Sequence, residues 1–215
     1  MDIVLLSAII SFLALDITIA FQVLISSPIF ACPILGWLLG DVELGFEMGF
    51  LLQLLWLGRI PAGAYIVPEG NIASMIATVL VLLNRDIGYP NTTLAIVFVE
   101  SILISYLGAV ITIYYRKFNN RVLEIVVKEI ENVHFKMTLL LEAGSVFIYF
   151  LMVFIISLGT ILLSQKVLPL VIPFLGELWE EEFVVIKPLI LGIGLAFVLP
   201  IFKDAVLKRQ LRKNG

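Results

Sequence analysis

Cysteine, histidine and charge are the scarce materials of this chain. A single cysteine, Cys32, occurs in 215 residues, which excludes a disulfide framework. His134 is the sole histidine, so a Cys/His metal site also lacks its ligands. Charged residues make up 14% of the chain and hydrophobic ones 61%, against roughly a quarter and a half in soluble domains. Lys and Arg are missing altogether before Arg59. No Ser/His/Asp set, phosphate-cradling loop or metal-ligand spacing occurs, so the sequence reads as a non-enzyme with no cofactor, no metal and no nucleic-acid partner. The Gly58, Gly63, Gly70 spacing is not a dinucleotide fingerprint, because no strand precedes it.

What the chain has instead is apolar length. Runs near or beyond the roughly 20 residues needed to span a hydrocarbon core recur from Ile3 to Phe202. The reading is an all-α integral membrane protein with several transmembrane helices and broken or re-entrant helical hairpins. One membrane domain covers 1–215. The first run carries Asp16 and lacks a basic leader and a small-residue cleavage site, so it reads as a retained segment. Pro28 and Pro33 argue against a straight helix from Gln22 to Leu39. Gly45–Leu57 and Ile72–Leu83 are each half to two-thirds of a span, which predicts a re-entrant hairpin over 45–83 within a first half, 1–115. Thr92–Tyr115 is a full span with Glu100. Residues 116–137 alternate charge with aliphatics at helical spacing, as a surface amphipathic helix does. Further transmembrane helices are expected over 138–202. Within them, Val167–Leu175, interrupted by Pro169 and Pro173, reads as too short to span. A basic tail, 203–215, follows.

The basic residues set a direction. Arg116, Lys117, Arg121, Lys128 and Lys136, with Lys203, Lys208, Arg209, Arg212 and Lys213, mark that loop and the tail as cytoplasmic by the positive-inside bias. Counting back places Asn84–Asn91 and the acidic GELWEEE loop outside.

The stretch GRIPAGAYIVPEGN, Gly58 to Asn71, interrupts the apolar runs with three glycines, two prolines, Arg59 and Glu69. Backbone left unpaired in lipid costs several kcal/mol per group, so such a loop persists at membrane depth only where protein or water covers it. It is either a solvated turn between short tilted helices or the lining of a polar cavity.

The ordered motifs here carry a resemblance. They comprise a proline-to-LGD run (Pro28, Ala31, Gly36, Leu39, Gly40, Asp41), a following LG-x-x-x-x-GA run (Leu57, Gly58, Gly63, Ala64) and a P-E-x-x-I-A-S run (Pro68, Glu69, Ile72, Ala73, Ser74). Over residues 14 to 83 the chain resembles the IIC membrane subunit of mannose-type phosphotransferase system permeases, the mannose, fructose and sorbose group. The resemblance implies a sugar-conducting subunit of the bacterial cytoplasmic (inner) membrane. It also implies a IID membrane partner and a separate cytoplasmic IIB (IIAB) protein that phosphorylates the sugar. Two features depart from the pattern: Gln53 stands where the family has a glutamate, and about two further membrane passes are missing after Phe202. The alternative function is a shortened, non-transporting scaffold or sensor that recruits regulatory proteins.

The residues expected around a sugar are Asp16, Gln22, Gln53, Arg59, Glu69 and Asn71, since polyols are bound by carboxylates and amides in a dry pocket. Asp16 and Glu69 are alternatively partners of Arg59, and Gln22 and Asn71 are alternatively turn residues. Glu47 and Gln53 point apart on one helix, and Gln53 is the one assigned to the pocket. Glu100, Glu142 and Lys187 interrupt full spans and read as helix or subunit contacts ahead of a coupling path. Intramembrane charge of this kind also predicts an oligomer.

Overall fold

The computed structural model describes residues 1–18, 23–57, 68–131 and 135–214. Among them run seven α-helices: α1 (Ile3–Thr18), α2 (Pro28–Leu38), α3 (Val42–Trp56), α4 (Gly70–Asn84), α5 (Pro90–Glu131), α6 (Phe135–Trp179) and α7 (Ile186–Asn214). Short 3-10 turns, Arg85–Ile87 and Glu182–Val185, precede α5 and α7. No strand occurs among the described residues.

α2 and α3 form the tightest pair. Pro28 opens α2 in its first turn, where a missing N–H is harmless. Gly40, at φ +82°, closes it, with Asp41 N donating to Gly36 O at 2.8 Å and Gly40 N to Trp37 O at 3.2 Å, the paired bonds of a Schellman turn. Asp41 at once caps α3, accepting from Leu44 N at 3.0 Å. The two helices then run back to back on glycine. A Cβ on Gly36 would stand 2.8 Å from Gly45 Cα, and one on Gly49 2.5 Å from Pro28 O. The Gly45-x-x-x-Gly49 spacing is the small-residue signal for such close approach in membranes.

α4 is the hub of the core. Its residues from Ile72 to Leu82 are all buried, and it touches α1, α2, α3, α5 and α6, as a helix apolar on every side must. Arg85, just past its end, reaches the α2–α3 turn, 3.7 Å from Asp41 Oδ2.

α5 and α6, of 42 and 45 residues, are about 63 and 68 Å long at 1.5 Å per residue, twice the roughly 30 Å hydrocarbon thickness. Two local expectations differ here. α5 continues across residue 116 to Glu131 without a break, because Arg, Lys, Glu and Leu are strong helix formers and nothing between them stops the turn. Pro169 and Pro173 lie inside α6, which does not end at them. Neighbouring helices in a membrane bundle can re-satisfy the carbonyls a proline frees. Start and end of this pair are tied: Glu180 Oε1 and Oε2 accept from Asn91 N at 2.9 Å and Thr92 N at 2.8 Å. The end of α6 thereby caps α5. Partial burial works against the charge on Glu180, but the bonds from Thr92 and Asn91 outweigh it and hold its carboxyl below the ordinary value.

Among the described residues, four stretches are long and apolar enough to cross a membrane: Gly70–Ile87, Pro90–Ile130, Phe135–Trp179 and Glu182–Pro200. On α6, Leu139, Phe147, Ile155, Leu163 and Leu170 are exposed, an apolar face that suits lipid.

Candidate functional site

Residues 23–26, just before α2, fold around a carboxylate. Asp16, 4% exposed, accepts from Val23 N at 2.8 Å, Ser26 N at 3.2 Å and Ser26 Oγ at 3.3 Å. Leu24 lies between these donors at φ +67°, the left-handed region that costs a side-chain-bearing residue roughly 1–2 kcal/mol. Backbone strain beside a buried carboxylate is a mark of sites that need a fixed geometry.

Asn71 joins this group from α4. Its Nδ2 donates to Ser26 Oγ at 3.4 Å, so Asp16, Ser26 and Asn71 form one hydrogen-bonded chain from α1 to α4. Gln53 reaches the start of α2 from α3: its Oε1 accepts from Ile29 N at 3.4 Å, satisfying an otherwise orphan donor in the first turn of α2. Beneath them α4 is pinned in place. Trp56 Nε1 donates to Ser74 Oγ at 3.0 Å, and Ser74 Oγ donates to Gly70 O at 2.7 Å. A Cβ on Gly70 would sit 2.4 Å from the indole, so glycine is required where Trp56 covers the start of α4.

Glu69, only two residues from Asn71, faces α5 instead. Its N–H donates to Ser105 O at 2.9 Å, and its Oε1 accepts from Thr112 Oγ1 at 2.7 Å. A Cβ on Gly108 would stand 2.7 Å from Glu69 Cβ. Glu69 is the N-cap residue of α4, its carbonyl accepting from Ala73 N at 3.2 Å, but its side chain makes no cap bond and is turned to α5.

Of the six residues predicted from sequence, Asp16 and Asn71 are therefore joined through Ser26, Gln53 braces α2, and Glu69 forms a separate contact. Gln22 and Arg59 lie outside the described residues, as does any pairing of Arg59 with Glu69. Ser26, Ser105 and Thr112 were not singled out by sequence reasoning. Ser26 had a signal, in the SSP triplet that ends a broken segment. Two of the remaining intramembrane charges make contacts between helices: Lys187 Nζ lies 2.6 Å from Glu47 Oε1, and Glu100 accepts from Ser164 Oγ; Glu142 lines a cleft between α5 and α6. Cys32 is buried, its Sγ 3.7 Å from Ser74 O.

Long apolar spans packed with the shorter helices α1 to α4, and a buried carboxylate linked through Ser26 to the start of α4, define a multi-pass α-helical membrane protein of the broken-helix type. The chain belongs to the family described as PTS system sorbose-specific IIC component, whose model matches residues 1–207. A segment of 89 residues is 30% identical to the sorbose-specific EIIC component of Klebsiella pneumoniae and covers 41% of this chain and 31% of that protein. Another, of 59 residues, is 36% identical to the mannose-specific EIIC component of Escherichia coli K12, covering 27% and 22%. The chain thus spans less than a third of the length of either relative in the matched segments. Among solved structures, the mannose transporter ManYZ in complex with microcin E492 superimposes with a TM-score of 0.62 at 20% identity, over 99% of this chain and 82% of that one. A further membrane protein gives 0.68 at 23% identity, over 93% and 77%. At these identities the structural likeness shows a shared fold.

Proposed function

We propose that this chain is the sugar-translocating IIC subunit of a mannose-type, phosphoenolpyruvate-dependent phosphotransferase permease. It takes a hexose or amino sugar between its broken helices near the membrane midplane and delivers it to a cytoplasmic IIB protein. Phosphoryl transfer belongs to that separate protein. A IID subunit is the membrane partner, the assembly is oligomeric, and the C-terminal tail faces the cytoplasm of a bacterial inner membrane. Family membership supports the reading.

The observation that carries it is the Asp16–Ser26–Asn71 chain. A carboxylate that accepts and an amide that donates, held between α1, the start of α2 and the start of α4, can exchange their bonds to Ser26 for bonds to adjacent sugar hydroxyls. The test is equilibrium binding of radiolabelled mannose, fructose and sorbose to the chain co-purified with its IID partner. Binding to the wild type, weakened about tenfold in Asp16→Asn and Asn71→Ala, is the expected result, the scale of one hydrogen bond to a charged or buried group. A wild type that binds none of the three sugars sinks the reading and favours the non-transporting scaffold.

A further inference from the structure

The inner face of α5 continues away from Glu69 as a polar line. Ser101, Ser105, Gly108, Thr112, Tyr115 and Asn119 recur every three or four residues and so share one side of the helix. Glu69 occupies three of these positions, through Ser105, Gly108 and Thr112. One to two turns further on, the line opens into a cleft of about 520 Å³ between α5 and α6, lined by Tyr115, Arg116, Asn119, Val122, Glu142 and Ser145 among others. That is within the range of sites that hold small molecules.

The cleft's polar groups are fixed and unequal. Ser145 Oγ donates to Asn119 Oδ1 at 2.7 Å, so the 2.9 Å contact between Tyr115 OH and Ser145 Oγ has the tyrosine as donor. Tyr115 and Ser145 are thereby satisfied and buried. With its Oδ1 taken, Asn119 keeps its Nδ2 donors, which have no partner among the described residues. Arg116 adds further donors, and Glu142 faces them as an acceptor with no ion pair among the described residues.

We propose that this cleft is a second, low-affinity station for the sugar on its way out of the site at the helix breaks. Two neighbouring hydroxyls are the ligand that fits. One donates to the Glu142 carboxylate while the oxygen of the next accepts from Asn119 Nδ2 or the Arg116 guanidinium. A free phosphate or sugar phosphate fits less well, because Glu142 opposes a second anion. The station lies at the end of α5 that carries Arg116, Lys117, Arg121 and Lys128, the end assigned to the cytoplasm by charge bias. A release site belongs there. The inference rests on the permease reading.

The test uses sealed membrane vesicles bearing the full chain with its IID and IIB partners, and the same three radiolabelled sugars. Asn119 and Glu142 are exposed, so Glu142→Gln leaves the packing unchanged, while Asn119→Leu also removes the acceptor of Ser145 Oγ; melting temperatures of both variants, with Asn119→Gln as the variant that keeps the acceptor, separate that local loss from the effect on uptake. The expected result is an equilibrium dissociation constant within about twofold of wild type, with maximal uptake rate lowered about tenfold in each variant. Asn119→Gln, which restores the donors, recovers most of that rate. Wild-type rates in both Asn119→Leu and Glu142→Gln overturn the station, as does loss of bound phospholipid from these two variants with uptake unchanged. Absence of sugar binding and uptake in the wild type overturns instead the permease reading on which it rests.

Discussion

Glu69 and Thr112 are 43 residues apart in the chain, yet the threonine hydroxyl donates to the carboxylate at 2.7 Å. The bond fastens the start of α4 to the middle of α5, apart from the Asn71 contact to Ser26. Glu100, by contrast, has Ser164 as its hydrogen-bond partner among the described residues, in a cleft otherwise lined by apolar side chains. Glu69→Ala is therefore expected to lower stability and sugar affinity more than Glu100→Ala. A loss of about 1.5–3 kcal/mol matches a hydrogen bond to a charged group. Glu69→Gln keeps an acceptor for Thr112 and is expected to retain most of it. Melting temperature and sugar binding, read together, decide this; an Ala variant with wild-type values in both shows that the contact is incidental.

The α2–α3 pair makes a steric prediction. A methyl group on Gly36 meets Asp41 O at 2.5 Å and Gly45 Cα at 2.8 Å, both backbone atoms that cannot turn aside. Gly36→Ala is expected to cost about 1–3 kcal/mol by forced displacement. Gly144→Ala, with nothing within 4 Å of the new Cβ, is the control and leaves the melting temperature near wild type. Equal behaviour of the two variants refutes the close packing.

Glu180 gives a pH dependence of known sign. Its carboxyl lies below the ordinary value because Thr92 and Asn91 bond the charged form more strongly than burial opposes it. A depressed carboxylate contributes stability that is complete above its unfolded value, about 4.3, and is lost as pH falls through the folded value. Glu180→Gln is expected to be less stable than wild type by about 1 kcal/mol near neutrality, the scale of a helix cap. The gap should close below pH ~4. A gap that persists unchanged into acid assigns it to packing, not to charge.

How much of this was legible in the sequence differs from element to element. Helix class followed from apolar length, and the start of α2 from Pro28, whereas Pro33, expected to break the segment, lies inside α2. The close pairing of α2 with α3 had a signal in Gly45-x-x-x-Gly49, although sequence reasoning paired the flanking half-spans 45–57 and 72–83. Pro169 and Pro173 misled, because proline is a breaker only where its freed carbonyl finds no other partner. The Ser105 and Thr112 contacts to Glu69 had no local signature at all. They depend on where α5 crosses α4, which spacing within either helix does not encode.

Topology can be read chemically. Asp86 is exposed in the turn between α4 and α5, a segment that charge bias places outside. Cys32 is buried, so the native thiol gives little background. Asp86→Cys in sealed cells is expected to react with a membrane-impermeant maleimide added externally. Reaction only after the membrane is opened reverses the proposed orientation of the whole chain.

Glu47 and Lys187 join α3 to α7 at 2.6 Å, and the local fields are not neutral toward this arrangement. Lys187 lies in the first turn of α7, where the helix dipole disfavours a cation. Its position is tolerable because Glu47 compensates it. The side chains are 43% and 38% exposed, so in water the pair contributes only about 0–1 kcal/mol. In lipid, where an unpaired charge is penalised by about 2.5–3.5 kcal/mol on the insertion scale, its loss is felt more. Glu47→Lys alone is expected to lower the melting temperature and weaken α3–α7 association, since two cations then face each other. Combining it with Lys187→Glu restores the attraction and also puts an anion at the start of α7, where the dipole favours it. The double variant is thus expected to melt at or above wild type, and the interaction energy of the cycle to be at least ~1 kcal/mol in favour of opposite charges. Additive losses in the double variant show that α3 and α7 are held by packing alone, with Gly194 against Leu54 as the contact that remains.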